Sequence, residues 1–209
     1  MKAEPYLHTV RAKETDAFSL SLRAQAEAAD IPIIAYDGLC FLQQIILMRG
    51  VNRILELGTA IGYSAIGMAR VRHDLEIVTI ERDAERLDSA RQNIDAAGFS
   101  SRITVIEADA RTLDPNTLKG PFDMIFIDAS KSQGIHYFER YESCLAPGGI
   151  IVTDNVLFHG FHEMTIRSRN LRQLTQKIDR FNRYLLTRKD YHTMIYPVGD
   201  GMSVSIQLR

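Results

Sequence analysis

Residues 122–131 read FDMIFIDASK, and the fold turns on the apolar run Met124-Ile125-Phe126-Ile127 inside them. The run is too short and too uniformly apolar for an amphipathic surface helix, so it reads as a strand buried on both faces of a parallel sheet. Asp128 falls at the carboxyl edge of that strand, and Lys131 follows three positions later. Ligands of open α/β sheets bind along this edge, which makes Asp128 either a site residue or the cap of the next helix.

Working outward, strands are expected over 53–57, 76–80 and 103–107, separated by helices over 63–71 and 84–97, the second stopped by Gly98. Beyond Lys131 come a helix over 135–145, a turn at Pro147-Gly148-Gly149 and a strand over 150–153. A long basic helix over 165–186 follows, then two strands over 191–196 and 202–207 that form a hairpin around Val198-Gly199-Asp200-Gly201. This alternation predicts an α/β fold, a doubly wound and mostly parallel sheet of seven strands with right-handed crossovers, ending in an antiparallel hairpin. Two helices, over 14–29 and 37–48, precede the sheet and are stopped by Asp30-Ile31-Pro32 and Gly50. Residues 1–50 are thus expected to form an N-terminal helical lid or dimerisation segment on a single domain spanning 1–209.

The chain has 209 residues, 45% of them hydrophobic, which suffices for one well-buried core and is too little for two full domains. No apolar run approaches the roughly 20 residues of a membrane span, and the N-terminus lacks the apolar core of a signal peptide, so a cytoplasmic protein is expected. Cys40 and Cys144 have no metal-ligand spacing and read as buried thiols. Net charge is near zero, but residues 161–209 carry nine Lys and Arg against four Asp and Glu. That part of the chain is basic.

Residues 55–64, LELGTAIGYS, join the first strand to its helix. Gly58 permits a tight turn and close approach of the backbone to a ligand, and the helix beginning near Gly62 offers unpaired N–H groups. The spacing Gly-x-x-x-Gly argues against a nicotinamide dinucleotide, and the lack of a following Gly-Lys-Ser/Thr excludes a P-loop. Glu81, ending the second strand, can accept both hydroxyls of a ribose, and Asp109, after the third, can accept an adenine amine. Asp128, Asp154 and Asn155 sit at the ends of neighbouring strands, where three hard oxygen donors suit Mg²⁺, Mn²⁺ or Ca²⁺. Taken one at a time, each of these three is equally a helix cap or a turn residue.

The acidic strand, the Gly-x-x-x-Gly loop, Glu81 and Asp109-Ala110 together resemble the S-adenosylmethionine (SAM) site of class I methyltransferases. FIDASK followed by VTDNVLFHG is similar to the metal-dependent, catechol-type O-methyltransferase family, which also contains bacterial tRNA 5-hydroxyuridine methyltransferases. The resemblance spans nearly the whole chain and implies a Rossmann-like class I methyltransferase fold. It places Ile34, Glu56, Gly58, Gly62, Tyr63, Ser64, Glu81, Asp109, Ala110 and Asp128 around SAM. It makes Asp128, Asp154 and Asn155 the ligands of Mg²⁺ (or Mn²⁺ or Ca²⁺), and Lys131 the general base. A hydroxyl is a poor nucleophile toward a sulfonium methyl until it ionises, a divalent ion holding it lowers its pKa, and Lys131 can take the proton if the cation and burial depress its own pKa.

A metal chelate needs two adjacent oxygens, as in a catechol or in the 4-carbonyl and 5-hydroxyl of 5-hydroxyuridine. The DNVLFHG run resembles the tRNA-modifying branch. Arg167, Arg169, Arg172, Lys177, Arg180, Arg183, Arg188 and Lys189, with His159 and His162 before them, make a cationic stretch that binds phosphates, unless it is a solvated helix face. The expected acceptor is therefore the wobble 5-hydroxyuridine in the anticodon loop of tRNA, converted to 5-methoxyuridine. One alternative is a small catechol-like compound in a pocket lined by Tyr6, Phe158, Phe161 and Tyr196. Another is a SAM- or RNA-binding module without turnover. The resemblance also implies a homodimer.

Overall fold

The computed structural model describes residues 10, 13–157 and 168–208. Its central strand β4, Phe122–Ile127, is buried at every position except Asp123. Asp123 instead accepts the N–H groups of Asn52 and Arg53 at 2.8 and 2.9 Å, which pins the start of β1 (Arg53–Leu57) beside it. Glu76–Glu81 (β2) and Ile103–Glu107 (β3) extend the sheet on one side, and Leu145–Thr153 (β5), Tyr191–Tyr196 (β6) and Met202–Gln207 (β7) on the other. The order is β3-β2-β1-β4-β5-β7-β6, with β1 to β5 parallel and β7 antiparallel to both of its neighbours. The expected doubly wound sheet with a terminal hairpin is the observed one.

The helices are α1 (Ala17–Ala28), α2 (Tyr36–Arg49), α3 (Tyr63–Ala69), α4 (Ala84–Ala96), α5 (Gly134–Tyr141) and α6 (Arg169–Thr187). Local chemistry sets their starts: the side chains of Asp16, Asp83 and Ser168 accept the N–H groups of Ser19, Arg86 and Leu171, satisfying donors that a first helical turn leaves open. Alternate residues of the strands feed two cores. Ile54, Met124, Phe126 and Val152 pack with α1, α2 and α3, while Leu55, Leu57, Ile125 and Ile127 pack with α5 and α6. Helices α1 and α2 bury Leu22, Ala26, Leu42 and Ile46 in the first core.

Two of the largest departures from the expected boundaries flank the turn before β5. Pro147-Gly148-Gly149 lies inside β5, which begins at Leu145, because Leu145 pairs with Phe122 and the sheet takes up the extra residues as a register shift. The helix expected to 145 ends at Tyr141 and tightens into a 3₁₀ turn over Glu142–Cys144.

Candidate active site

Sheet register assembles the site. Leu57 pairs with Ile80 on one side and with Ile127 on the other, and Ile127 pairs with Thr153. The next residues along these four strands, Glu81, Gly58, Asp128 and Asp154, therefore stand side by side along the carboxyl edge where strand order reverses, the usual ligand crevice of a doubly wound sheet. A cavity of about 670 Å³ opens there, walled among others by Ile34, Gly58, Tyr63, Ser64, Glu81, Asp109, Ala110, Asp128, Lys131, Asp154 and Asn155.

At one end Glu81 is held rigidly. Its Oε2 accepts Ala60 N–H at 3.0 Å, and its Oε1 accepts the N–H groups of Arg82 and Asp83 at 2.9 and 3.0 Å. Asp109 is gripped by Arg111 and reached by Arg82 Nη1 at 3.3 Å, and the Arg111 bonds hold its carboxyl well below the usual carboxylate range. Its neighbour Ala110 presents a carbonyl that takes the Tyr141 hydroxyl at 2.8 Å.

Two of the expected cofactor residues do not reach this cavity. Glu56 is fully buried, and both of its oxygens are occupied, by Ser64 Oγ at 2.5 Å and by Thr79 Oγ1 at 2.5 Å. Burial pushes its carboxyl up to about 7, with the Glu81 charge adding and the two hydroxyls opposing. Glu56 thus props Ser64, which is in the wall. Gly62 is the N-cap of α3 with φ +87°, and the space over its Cα faces Ile94 and not the cavity.

At the other end Asp128, Asp154 and Asn155 converge. Asn155 Nδ2 donates to Asp128 Oδ1 at 3.1 Å, and Asn155 N–H donates to Asp154 Oδ1 at 2.7 Å. Burial, then the Asp154 charge, raises the Asp128 carboxyl well above the carboxylate range. Burial likewise takes Asp154 up to about 6, with Asp200 adding and the Asn155 N–H and Lys131 opposing. Two carboxylates crowded into a low-dielectric corner are a disposition that a cation relieves. Among the described residues no three His, Cys, Asp or Glu side chains form a complete ligand group, so the amide oxygen of Asn155 is the third donor the set provides. Three hard oxygens fit Mg²⁺, Mn²⁺ or Ca²⁺ and leave positions for an acceptor and water.

Lys131 opens a 3₁₀ turn over Lys131–Gln133 and lines the same cavity, close enough for its charge to lower both Asp128 and Asp154. A second, small cavity of about 20 Å³ lies behind it, walled in part by Thr153, Asp154 and Phe181.

Several site residues escaped the sequence reading. Asp200, placed only in a hairpin turn, lines the cavity; its carbonyl accepts Leu157 N–H at 3.0 Å, and Gly201 O accepts Val156 N–H at 2.9 Å. Asn182 Nδ2, from α6, donates to Val156 O at 2.7 Å. The hairpin and α6 together clamp the strand end that carries Asp154 and Asn155. A signal for Asp200 existed in Gly199-Asp200-Gly201, where glycines flank a carboxylate; none marked Asn182.

The basic stretch fares differently. Arg169, Arg172 and Lys177 are exposed on α6 and do not line the cavity. Arg183 pairs with Asp179 at 2.9 Å, and Arg188 is consumed in a cluster with Glu142, Asp190 and Tyr184. Tyr196 packs at a tilt against Phe41, with ring centres 5.1 Å apart, and is not in the cavity wall. Arg167, Tyr6, Phe158, Phe161, His159 and His162 lie outside the described residues.

A ligand cavity at the switch point, walled by a pinned acidic residue on β2 and a loop after β1, on a parallel sheet that ends in an antiparallel hairpin, defines a Rossmann-like methyltransferase fold. The chain belongs to the O-methyltransferase family, whose model matches residues 19–208. It is 33% identical over 212 residues to a catechol O-methyltransferase of Niastella koreensis, covering 96% of this chain and 94% of that protein. Among solved structures, a Staphylococcus aureus protein assigned as a caffeoyl-CoA O-methyltransferase superposes with a TM-score of 0.90 at 36% identity, covering 98% of this chain and 99% of that one. A Bacillus cereus O-methyltransferase in complex with S-adenosylhomocysteine (SAH) gives 0.82 at 28% identity, covering 99% and 97%. None of these three carries a tRNA-modifying name. Among the described residues, no helix is long and apolar enough to cross a membrane.

Proposed function

We propose that the protein transfers the methyl group of SAM to one hydroxyl of a small acceptor bearing two adjacent oxygens, such as a catechol, with a divalent cation at Asp128, Asp154 and Asn155. The observation that carries this reading is the row of strand ends: Glu81 and Gly58, at the ends of β2 and β1, stand beside Asp128 and Asp154, at the ends of the adjoining β4 and β5. The relatives named as catechol and caffeoyl-CoA O-methyltransferases favour the same acceptor class.

In this reading Glu81 accepts the ribose hydroxyls, and the Asp109-Ala110 turn borders the adenine. Ser64, held by Glu56, and Tyr63 flank the rest of the cofactor. Asp128, Asp154 and Asn155 would hold the cation, which would supply positive charge that favours ionisation of the acceptor hydroxyl. Lys131, which lines the cavity beside Asp128 and Asp154, takes the hydroxyl proton. The acceptor oxygen then forms a bond to the methyl carbon as the carbon–sulfur bond breaks and the electron pair stays on sulfur, giving SAH. The protein contributes mainly alignment of oxygen, carbon and sulfur.

The wobble uridine expected from the sequence is the second reading, and the names of the relatives favour the small acceptor over it. The cationic stretch is partly spent in ion pairs, and Arg169, Arg172 and Lys177 stand outside the cavity wall. The test offers labelled SAM and Mg²⁺ with catechol, caffeoyl esters and, separately, hypomodified tRNA. Label in the catechols, abolished by EDTA and nearly insensitive to salt, is the expected result. Label confined to tRNA, falling steeply as salt rises, would overturn the small-acceptor reading.

A further inference from the structure

Glu14 lies ahead of α1 and ahead of the family match, yet its side chain is only 7% exposed. A carboxylate buried to that extent requires partners, and Glu14 has two. The Tyr63 hydroxyl lies 2.9 and 3.0 Å from the two Glu14 oxygens and donates to them, and Arg23 Nε donates to Oε2 at 2.7 Å. Arg23 Nη2 continues the chain to Tyr63 Oη at 3.0 Å and to the Ile34 carbonyl oxygen at 3.4 Å, while its guanidinium lies 5.0 Å from the centre of the Tyr63 ring.

Tyr63 and Ile34 come from different elements, and both wall the large cavity. Arg23 bonds to both. Glu14 neutralises it, so that a half-buried guanidinium stays in place and does not swing out to water. Burial, followed by the Glu14 bond, also pushes the Tyr63 hydroxyl above its ordinary range, which keeps it a donor to Glu14. The chain before α1, α1 itself and the entrance of α3 are thereby tied at one point, and two walls of the cavity are fixed in advance of any ligand.

We propose that Glu14 and Arg23 are positioning residues, a latch that holds the N-terminal segment against the cofactor wall and retains SAM and SAH in the cavity. The inference rests on the cofactor reading above. Pre-organised walls spare the ligand the cost of ordering them, so losing the latch weakens binding without touching the cation site.

The test measures SAH affinity by calorimetry for the full chain and for Glu14→Ala and Arg23→Met. Each variant is expected to bind about tenfold more weakly, the size of one charge-assisted hydrogen bond, while Mn²⁺ affinity stays within about twofold of wild type. Trypsin cleavage after the exposed Lys13 supplies a second readout: SAH should slow it in wild type and leave it unchanged in Glu14→Ala. Glu14→Gln, which keeps the shape and removes the charge, carries the same comparison if the alanine variant does not fold. Unchanged SAH affinity in folded variants, with cleavage protection intact, would sink the latch alone. A wild-type chain that binds no SAH would defeat the cofactor reading, and the latch with it.

Discussion

A Cβ placed on Gly58 would stand 2.4 Å from the carbonyl oxygen of Asp128. Gly58 also holds φ at +102°, a conformation that side chains resist. The glycine is therefore needed first by the neighbouring strand end, since it lets the cofactor loop and the proposed cation ligand share one contact. Gly58→Ala is expected to lower stability by about 2–4 kcal/mol and to weaken SAH and Mn²⁺ binding together. Urea denaturation and calorimetry check this. Loss of SAH binding alone would show that the contact with Asp128 does not matter.

Asp154 is crowded by other carboxylates. Asp154→Asn removes one charge from that corner, so in EDTA the variant is expected to be more stable than wild type by about 1–2 kcal/mol. The same change should abolish metal-dependent methyl transfer and leave SAH affinity nearly intact. A variant destabilised in EDTA, or one that loses SAH and Mn²⁺ binding equally, would make Asp154 a structural residue.

Glu56 gives the protein a pH dependence of its own. Its carboxyl rises from an ordinary 4.5 to about 7 in the fold, so between these values the native state holds a proton that the unfolded chain has released. The stability it contributes is full below pH 4.5 and is lost as pH rises through 7, amounting to about 3 kcal/mol. Glu56→Gln keeps a neutral group against Ser64 and Thr79. It should flatten this part of the pH–stability curve and be the more stable protein at pH 8. Parallel curves for variant and wild type would count against a buried, protonatable Glu56.

Arg188 joins the 3₁₀ turn after α5, the end of α6 and the start of β6. It donates to Glu142 Oε2 at 2.6 Å and to Tyr184 Oη at 2.7 Å, pairs with Asp190, and lies 5.0 Å from the Tyr191 ring centre. Arg188→Ala should cost about 2–4 kcal/mol of stability, and Arg188→Lys should recover only part, because an ammonium cannot serve three acceptors in one plane. Methyl transfer below the melting range should be unaffected. If acceptor affinity falls instead while stability holds, Arg188 belongs to a binding surface after all.

Much of the site could be read from local pattern. A short apolar run ending in Asp128, a second such run ending in Asp154-Asn155, and a glycine loop after Leu55-Glu56-Leu57 each report strand ends through their own neighbours. The βαβ alternation then forces those ends onto one edge of the sheet. The roles of Glu56 and of the cationic stretch were not legible, because a carboxylate or an arginine looks the same in a sequence whether it faces a ligand, a hydroxyl in the core or an acid on the next helix. Glu56 turns inward to Ser64 and Thr79, and Arg188 inward to Glu142.

What the amino-acid order determined by itself was periodic: which segments are strands, which are helices, and therefore the doubly wound sheet and the edge on which chemistry sits. Hydrophobic spacing of two or 3.6 residues and a few Gly and Pro suffice for that. Tertiary structure alone decided what meets across long separations in the chain. The bond of Glu14 to Tyr63, the approach of Asp200 to Asp154 and the hold of Asn182 on Val156 have no local signature. Each exists because packing two cores against one sheet brings distant side chains within hydrogen-bond or Coulomb range, where burial makes such contacts strong.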